Sequence, residues 1–310
     1  MRVALLAGGT GAARLAMGLV EVIDASDLSI ITNTADDDEF WGLLVCPDTD
    51  SVLYRLAGIF NAQSGFGIVD ETFGTLAMLG RLGEPTWFGL GDQDIALHLL
   101  RQQLLRGGMR LTEAIAELGR RLGVRAHILP MTDAPVRTRF ATDVGDLSFQ
   151  EYFVREHCGP QLREVQVAGI EQAKATPEVI SVLSDADIVI IGPSNPIVSI
   201  GPILDIVGAL MPRERVVAVS PVVGGRSLKG PTVTMLAALG HGTDALAVAR
   251  LWAPHASTFV LDVADAAAAP AVQALGMEVR VLDTVMHGQH EAAGLSRHLL
   301  AATTGSSGSG

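Results

Sequence analysis

Val3-Ala4-Leu5-Leu6-Ala7-Gly8-Gly9-Thr10-Gly11 is the stretch whose reading decides the fold. A short apolar run closes in a glycine turn, and residues 12–22 continue with Leu15, Leu19 and Val22 on one helical face. Residues 28–32 form a second short run rich in β-branched side chains. Strand, glycine turn, helix, strand is the opening of a parallel βαβ unit. Apolar runs return at 188–191, 216–219, 259–261 and 279–282. Continuous runs of this kind suit strands covered on both faces by helices. The expected fold is therefore α/β, a Rossmann-like, doubly wound and mostly parallel sheet with helices on both faces.

The middle of the chain reads differently. Residues 97–106 and 112–122 have helical amphipathic spacing, and 137–141 and 147–149 suggest a hairpin around Val144-Gly145-Asp146. We expect an inserted helical and β lobe over roughly 90–175 within one domain spanning 1–300. The tail 301–310 ends in glycine and serine and reads as a disordered appended linker.

Composition narrows the function. Hydrophobic residues make up 48% and charged residues 18%, enough apolar material for a large core and too little charge for a disordered chain. A net charge of −12 argues against nucleic acid, which needs a broad positive field. A small anion remains compatible, because backbone amides or a metal can hold it on an acidic protein. Cys46 and Cys158 form no CxxC pair, which fits the reducing cytoplasm. No run approaches a membrane span, and no signal-peptide pattern precedes the glycine turn.

Chemistry is expected where strands end. Gly9, Thr10 and Gly11 open a helix after the first strand, where amides can meet a phosphate or simply turn the chain. Arg14 and Ala13 stand where a full dinucleotide fingerprint would continue, and no Lys-Ser/Thr completes a P-loop. Asn33 follows the second strand and leads into Asp36-Asp37-Asp38-Glu39, with Asp48 and Asp50 shortly after. Clustered carboxylates repel unless a cation or shared proton compensates, and Mg²⁺ takes one or two of them with phosphate oxygens and water. Helix capping and solvation are the plain alternative. Asp36, Asp48 and Asp50 are the candidate metal ligands, and Asp36 and Asp37 the candidate catalytic acids. Trp87, Phe88, Gly89, Leu90 and Gly91 offer aromatic faces beside bare backbone, suited to a flat ring. His98 follows on a helix and reads as packing rather than as a ligand contact. Ser194 and Asn195 sit in a rigid Pro/Gly loop after the 188–191 strand, and Lys229 follows the next one. Lys229 either neutralises a phosphate or is solvated.

The strings GGTGAARL, ITNTADDDEFWGL, CPDTDSVLY, GFGIVDET, WFGLGDQDIALHL, LPMTD, FQEYFV, ADIVIIGPSNPIVSIGPIL and VSPVVGGRSLKGP resemble the 2-phospho-L-lactate transferase family. They run in order over residues 1–290, nearly the whole chain. The resemblance implies a transferase of coenzyme F-420 biosynthesis. It would move a phospholactyl, phosphoenolpyruvyl or phosphoglyceryl group from a guanosine diphosphate ester to 7,8-didemethyl-8-hydroxy-5-deazariboflavin (Fo), releasing GMP. It also implies Mg²⁺ and a homodimer. Asn33, Asp36 and 87–91 would border the deazaflavin; Gly9, Thr10 and Gly11 would lie near phosphate. Ser194, Asn195 and Lys229 would lie near the guanosine diphosphate. Ala12 departs from the pattern, since many relatives carry glycine there. Two rivals predict other ligands: a related group of nucleotide-sugar-binding regulators, and an NAD-dependent oxidoreductase using Asp36 on ribose hydroxyls. The long PSNPIVSIGPIL and FQEYFV strings favour the transferase over the regulator. The imperfect glycine fingerprint argues against the oxidoreductase.

Overall fold

The structure is a computed structural model that describes residues 1–301, so the appended linker expected at the end of the chain lies, beyond residue 301, outside the described residues. Seven strands form one sheet in the order Glu278–Leu282, Thr258–Asp262, Val216–Val219, Ile188–Ile191, Val3–Ala7, Leu28–Thr32 and His127–Pro130. Every neighbouring pair is parallel. The doubly wound α/β fold expected from the sequence is thus present.

The pleat explains why the apolar runs are continuous. Ala4 and Leu6 point to one face, with Ile31, Val189, Ile191, Val216 and Phe259. Val3, Leu5 and Ala7 point to the other, with Ile30, Ile190, Val219 and Val260. The helices Thr10–Leu19, Pro47–Leu56, Leu111–Arg121 and Gln289–Leu300 cover the second face, and Pro177–Asp185, Gly201–Val207 and Ala245–Trp252 cover the first. Alternation places side chains on opposite faces, and both faces are dry at the centre of the sheet, so no polar position interrupts Val3–Ala7, Ile188–Ile191 or Val216–Val219.

Val3–Ala7 is flanked by Leu28–Thr32 on one side and Ile188–Ile191 on the other. The chain winds outward to His127–Pro130, then returns across the first strand to begin the second half. In open α/β sheets the crevice beyond the carboxyl ends at such a reversal is where ligands bind.

Residues 90–175 do not run as one excursion. His127–Pro130 divides them and joins the central sheet beside Leu28–Thr32. Before it lie the hairpin Asp38–Phe40 and Leu43–Val45 and the helices Pro47–Leu56, Gly74–Arg81, Asp92–Arg106 and Leu111–Arg121. After it, Gly145–Ser148, Arg137–Thr142 and Leu162–Ala168 form a separate antiparallel sheet, and Glu151–Arg155 is a π-helix. The dividing strand is short, ends in proline and lies at the sheet edge, where a residue without an N–H is tolerated.

Candidate active site

The crevice opens into a cavity of about 770 Å³, within the range that encloses a cofactor-sized ligand. Its floor is the glycine turn. Gly9 has φ +76°, which favours glycine, and caps the helix that starts at Thr10. Gly11 is bare for a different reason: a β-carbon there would stand 2.1 Å from the Pro193 carbonyl oxygen. The missing side chain lets the segments that follow Val3–Ala7 and Ile188–Ile191 meet. Gly9, Thr10 and Gly11 all line the cavity.

The loop after Leu28–Thr32 carries the acids. Asn33 is fully buried and outside the cavity lining. Its amide nitrogen donates to Asp48 Oδ2 at 3.0 Å and to the Val198 carbonyl at 3.2 Å, and its Oδ1 accepts from the Ala35 amide. One side chain therefore ties three loops together and orients Asp48. Asp36 accepts from Thr138 Oγ1 at 3.1 Å, and Gln150 donates to its carbonyl. Asp36 and Asp48 both line the cavity. Burial pushes Asp48 up to about 6. Burial, and then the neighbouring Asp48 charge, raises Asp36 well above the usual carboxylate range. Neither carboxylate has an arginine or lysine partner in an ion pair among the described residues.

The other two candidate acids have different surroundings. Asp50 is paired with Arg101, which is wholly buried, by both guanidinium Nη atoms, and it also accepts from the Cys46 amide. Asp50 lines the cavity too, but its charge is already met by Arg101. Asp37 is buried outside the cavity lining, and burial pushes it up to about 8. Asp94, in the first turn of Asp92–Arg106, does line the cavity, and burial raises it to about 6. His98 lines it too, with a buried Nδ1 that has no hydrogen-bond partner, and burial lowers it to about 4.

Trp87, Phe88, Gly89 and Leu90 form one wall. Phe88 stacks on Phe40 with ring centroids 4.0 Å apart, which stiffens it. Gly91 is outside the lining, packed against Glu71. Trp87 and Phe88 also wall a smaller cavity of about 410 Å³, but the glycine turn and the buried acids face only the larger one. Phe149, Gln150, Phe153 and Val154, from the FQEYFV string, complete the lining across the mouth. Phe153 and Val154 belong to the π-helix Glu151–Arg155, a rare element frequent at functional sites.

Ser194 Oγ is buried in the lining without a partner. Asn195 also lines the cavity, but its Oδ1 accepts from the Ile197 amide and holds its own loop. Lys229 lines the opposite side and donates to the Gly65 carbonyl at 3.1 Å. Sequence reasoning passed over Arg14, Arg55, Asp94 and Arg101. One signal was available: Thr10 and Arg14 are four apart on one helix face, and both line the cavity.

A doubly wound α/β protein with an acid-lined crevice at its strand reversal is the class that fold and site define. Residues 3–283 match the family described as 2-phospho-L-lactate transferase CofD, and the chain belongs to that family. It is 37% identical over 284 residues to the 2-phospho-L-lactate transferase of Methanosarcina barkeri, covering 91% of this chain and 92% of that one. It is 39% identical to the protein of that name from Methanopyrus kandleri, over 97% of each chain. It is 37% identical to the phosphoenolpyruvate transferase of Streptomyces griseus, over 97% of this chain and 98% of that one. A crystal structure of a UPF0052 family member from Bacillus halodurans superposes with a TM-score of 0.62 at 16% identity, covering 96% and 98% of the two chains. That last likeness is one of fold alone.

Proposed function

We propose that this protein transfers a phosphate-linked three-carbon acid from a guanosine diphosphate ester to the alcohol of Fo, with GMP leaving, in the making of coenzyme F-420. The carrying observation is the pair Asp36 and Asp48, buried at the strand reversal with no cationic side chain to offset them. Kinship with proteins named 2-phospho-L-lactate transferase and phosphoenolpyruvate transferase supplies the substrate class.

The donor set fits Mg²⁺. Two hard carboxylates with only an amide side chain, a hydroxyl and the Gly9 amide as partners leave coordination for phosphate oxygens and water. Bound there, the ion would offset charge on the phosphate. In this reading Asp36 and Asp48 would hold it, and Asp36 is also the acid that takes the proton of the attacking alcohol. Asp50 and Asp37 have no part at the reacting atoms. The Trp87–Phe88 wall takes the deazaflavin ring, and Gly9, Thr10 and Ser194 meet the diphosphate. Ser194 has an unused hydroxyl for that purpose. A homodimer belongs to the same proposal. The helix Gly74–Arg81 buries none of its own residues and, with its flanks, exposes Phe73, Met78 and Leu82, surface that a second copy could cover. So does a cytoplasmic location; no helix among the described residues is long and apolar enough to cross a membrane.

Fluorescence titration with Fo in the presence of Mg²⁺ tests the acceptor, and turnover with the three guanosine donors followed by mass spectrometry identifies the acid transferred. Saturable binding and a phosphodiester product are expected. No binding of Fo, with or without GDP and Mg²⁺, would turn the reading to a nucleotide-sugar regulator.

A further inference from the structure

Acids outnumber bases 34 to 22 in this chain, so a basic side chain without an acidic partner is conspicuous. Three such side chains meet at one side of the cavity. Arg14 and Lys229 line it together with Phe60, Gly65 and Met286. Arg14 is fixed by donating to the Met286 carbonyl at 2.9 Å, and Lys229 by donating to Gly65. Arg55 stands behind them, its guanidinium carbon 3.6 Å from the centre of the Phe60 ring. Its Nε is buried with no hydrogen-bond partner. Burial and the Arg14 charge lower Arg55 to about 10, and burial with both arginine charges lowers Lys229. Among the described residues none of them forms an ion pair with a carboxylate.

Like charges held together without a counterion cost free energy, and a buried guanidinium N–H without an acceptor adds to that cost. An anionic ligand in the cavity removes the first of these penalties, the uncompensated charge. The phosphate end of the donor is already provided for by the glycine turn and the acid pair. The other anion on the donor is the carboxylate of its three-carbon acid, present in phospholactate and phosphoenolpyruvate alike. Arginine suits it, because its fork matches a carboxylate's two oxygens.

We infer that Arg14 and Lys229, backed by the charge of Arg55, form a carboxylate subsite that seats the three-carbon acid of the donor, an inference that rests on the transferase reading. The subsite reads the charge shared by these acids, so discrimination among them falls to the neighbouring apolar lining.

Direct titration of the full chain with phosphoenolpyruvate and with ethyl phosphate, which lacks the carboxylate, tests it without turnover. The wild type is expected to bind phosphoenolpyruvate at least tenfold more tightly. Arg14→Gln should abolish that preference and Arg55→Gln should weaken it, both leaving GDP binding within about twofold, and Arg14→Lys should keep part of it. Equal affinity of the wild type for the two phosphates would overturn the subsite, even if Fo transfer is observed. Equal losses for GDP and phosphoenolpyruvate in the variants would overturn it too, by assigning the three bases to phosphate. Retained preference with no Fo transfer would instead count against the transferase reading and leave the subsite standing.

Discussion

Asp48 carries a cost that its role accounts for. Its carboxyl is raised from 3.8 to about 6 by burial. At low pH both the folded and the unfolded chain hold this proton. As pH rises the unfolded chain releases it first, so ionisation favours unfolding until the folded group also lets go near pH 6. Above that the penalty is constant. Asp48→Asn should therefore be more stable than the wild type at pH 7.5 by on the order of 1–3 kcal/mol, and no more stable at pH 4. Urea melts in EDTA at both values measure this; a variant less stable than the wild type at pH 7.5 refutes it. The same substitution, and Asp36→Asn, should lower the transfer rate by at least about a hundredfold, as loss of a group acting on the reacting phosphate does. A variant with wild-type turnover would remove its residue from the mechanism.

At the scale of elements, the site rests on a helix-to-helix ion pair. Asp50 lies in the first turn of Pro47–Leu56, and Arg101 is a buried residue of Asp92–Arg106. Arg101 also donates to the Leu44 carbonyl, so one guanidinium fastens both helices and the short hairpin. Removing one partner strands the other charge in the core. Arg101→Met should cost about 3–5 kcal/mol in guanidinium melts, whereas Asp50→Asn with Arg101→Met should recover most of it. If the double variant is as unstable as the single one, the pair is not what makes Arg101 necessary. Recognition of these elements from sequence was uneven for physical reasons. The strand Val3–Ala7 and its neighbours announce themselves because both faces are dry. His127–Pro130 does not, because an edge strand of four residues ending in proline resembles a loop.

For the whole molecule, two half-sheets meet at one cavity, and ligands should couple across it. Two carboxylates are only part of a Mg²⁺ shell, so the ion alone should raise the melting temperature little. GDP with Mg²⁺ should raise it by more than the sum of the separate shifts, since each ligand completes the other's site. Excess EDTA should remove the surplus. A GDP shift indifferent to Mg²⁺ would show that Asp36 and Asp48 do not share an ion with the diphosphate.

The chain's local chemistry by itself determined the βαβ opening, the doubly wound sheet and the crowding of acids at a strand's carboxyl end. These follow from hydrophobic period and from glycine placement, which act over a few residues. Which of the acids lining the cavity stays unpaired was decided only by tertiary structure. Asp48 and Asp50 are near neighbours in sequence, yet Asn33 orients one toward the crevice while Arg101, 51 residues on, neutralises the other. Arg14, Arg55 and Lys229 are likewise far apart in the chain and gather only in the fold. A charge acquires its role from the partner that folding brings to it, and that partner is set by packing rather than by spacing along the chain.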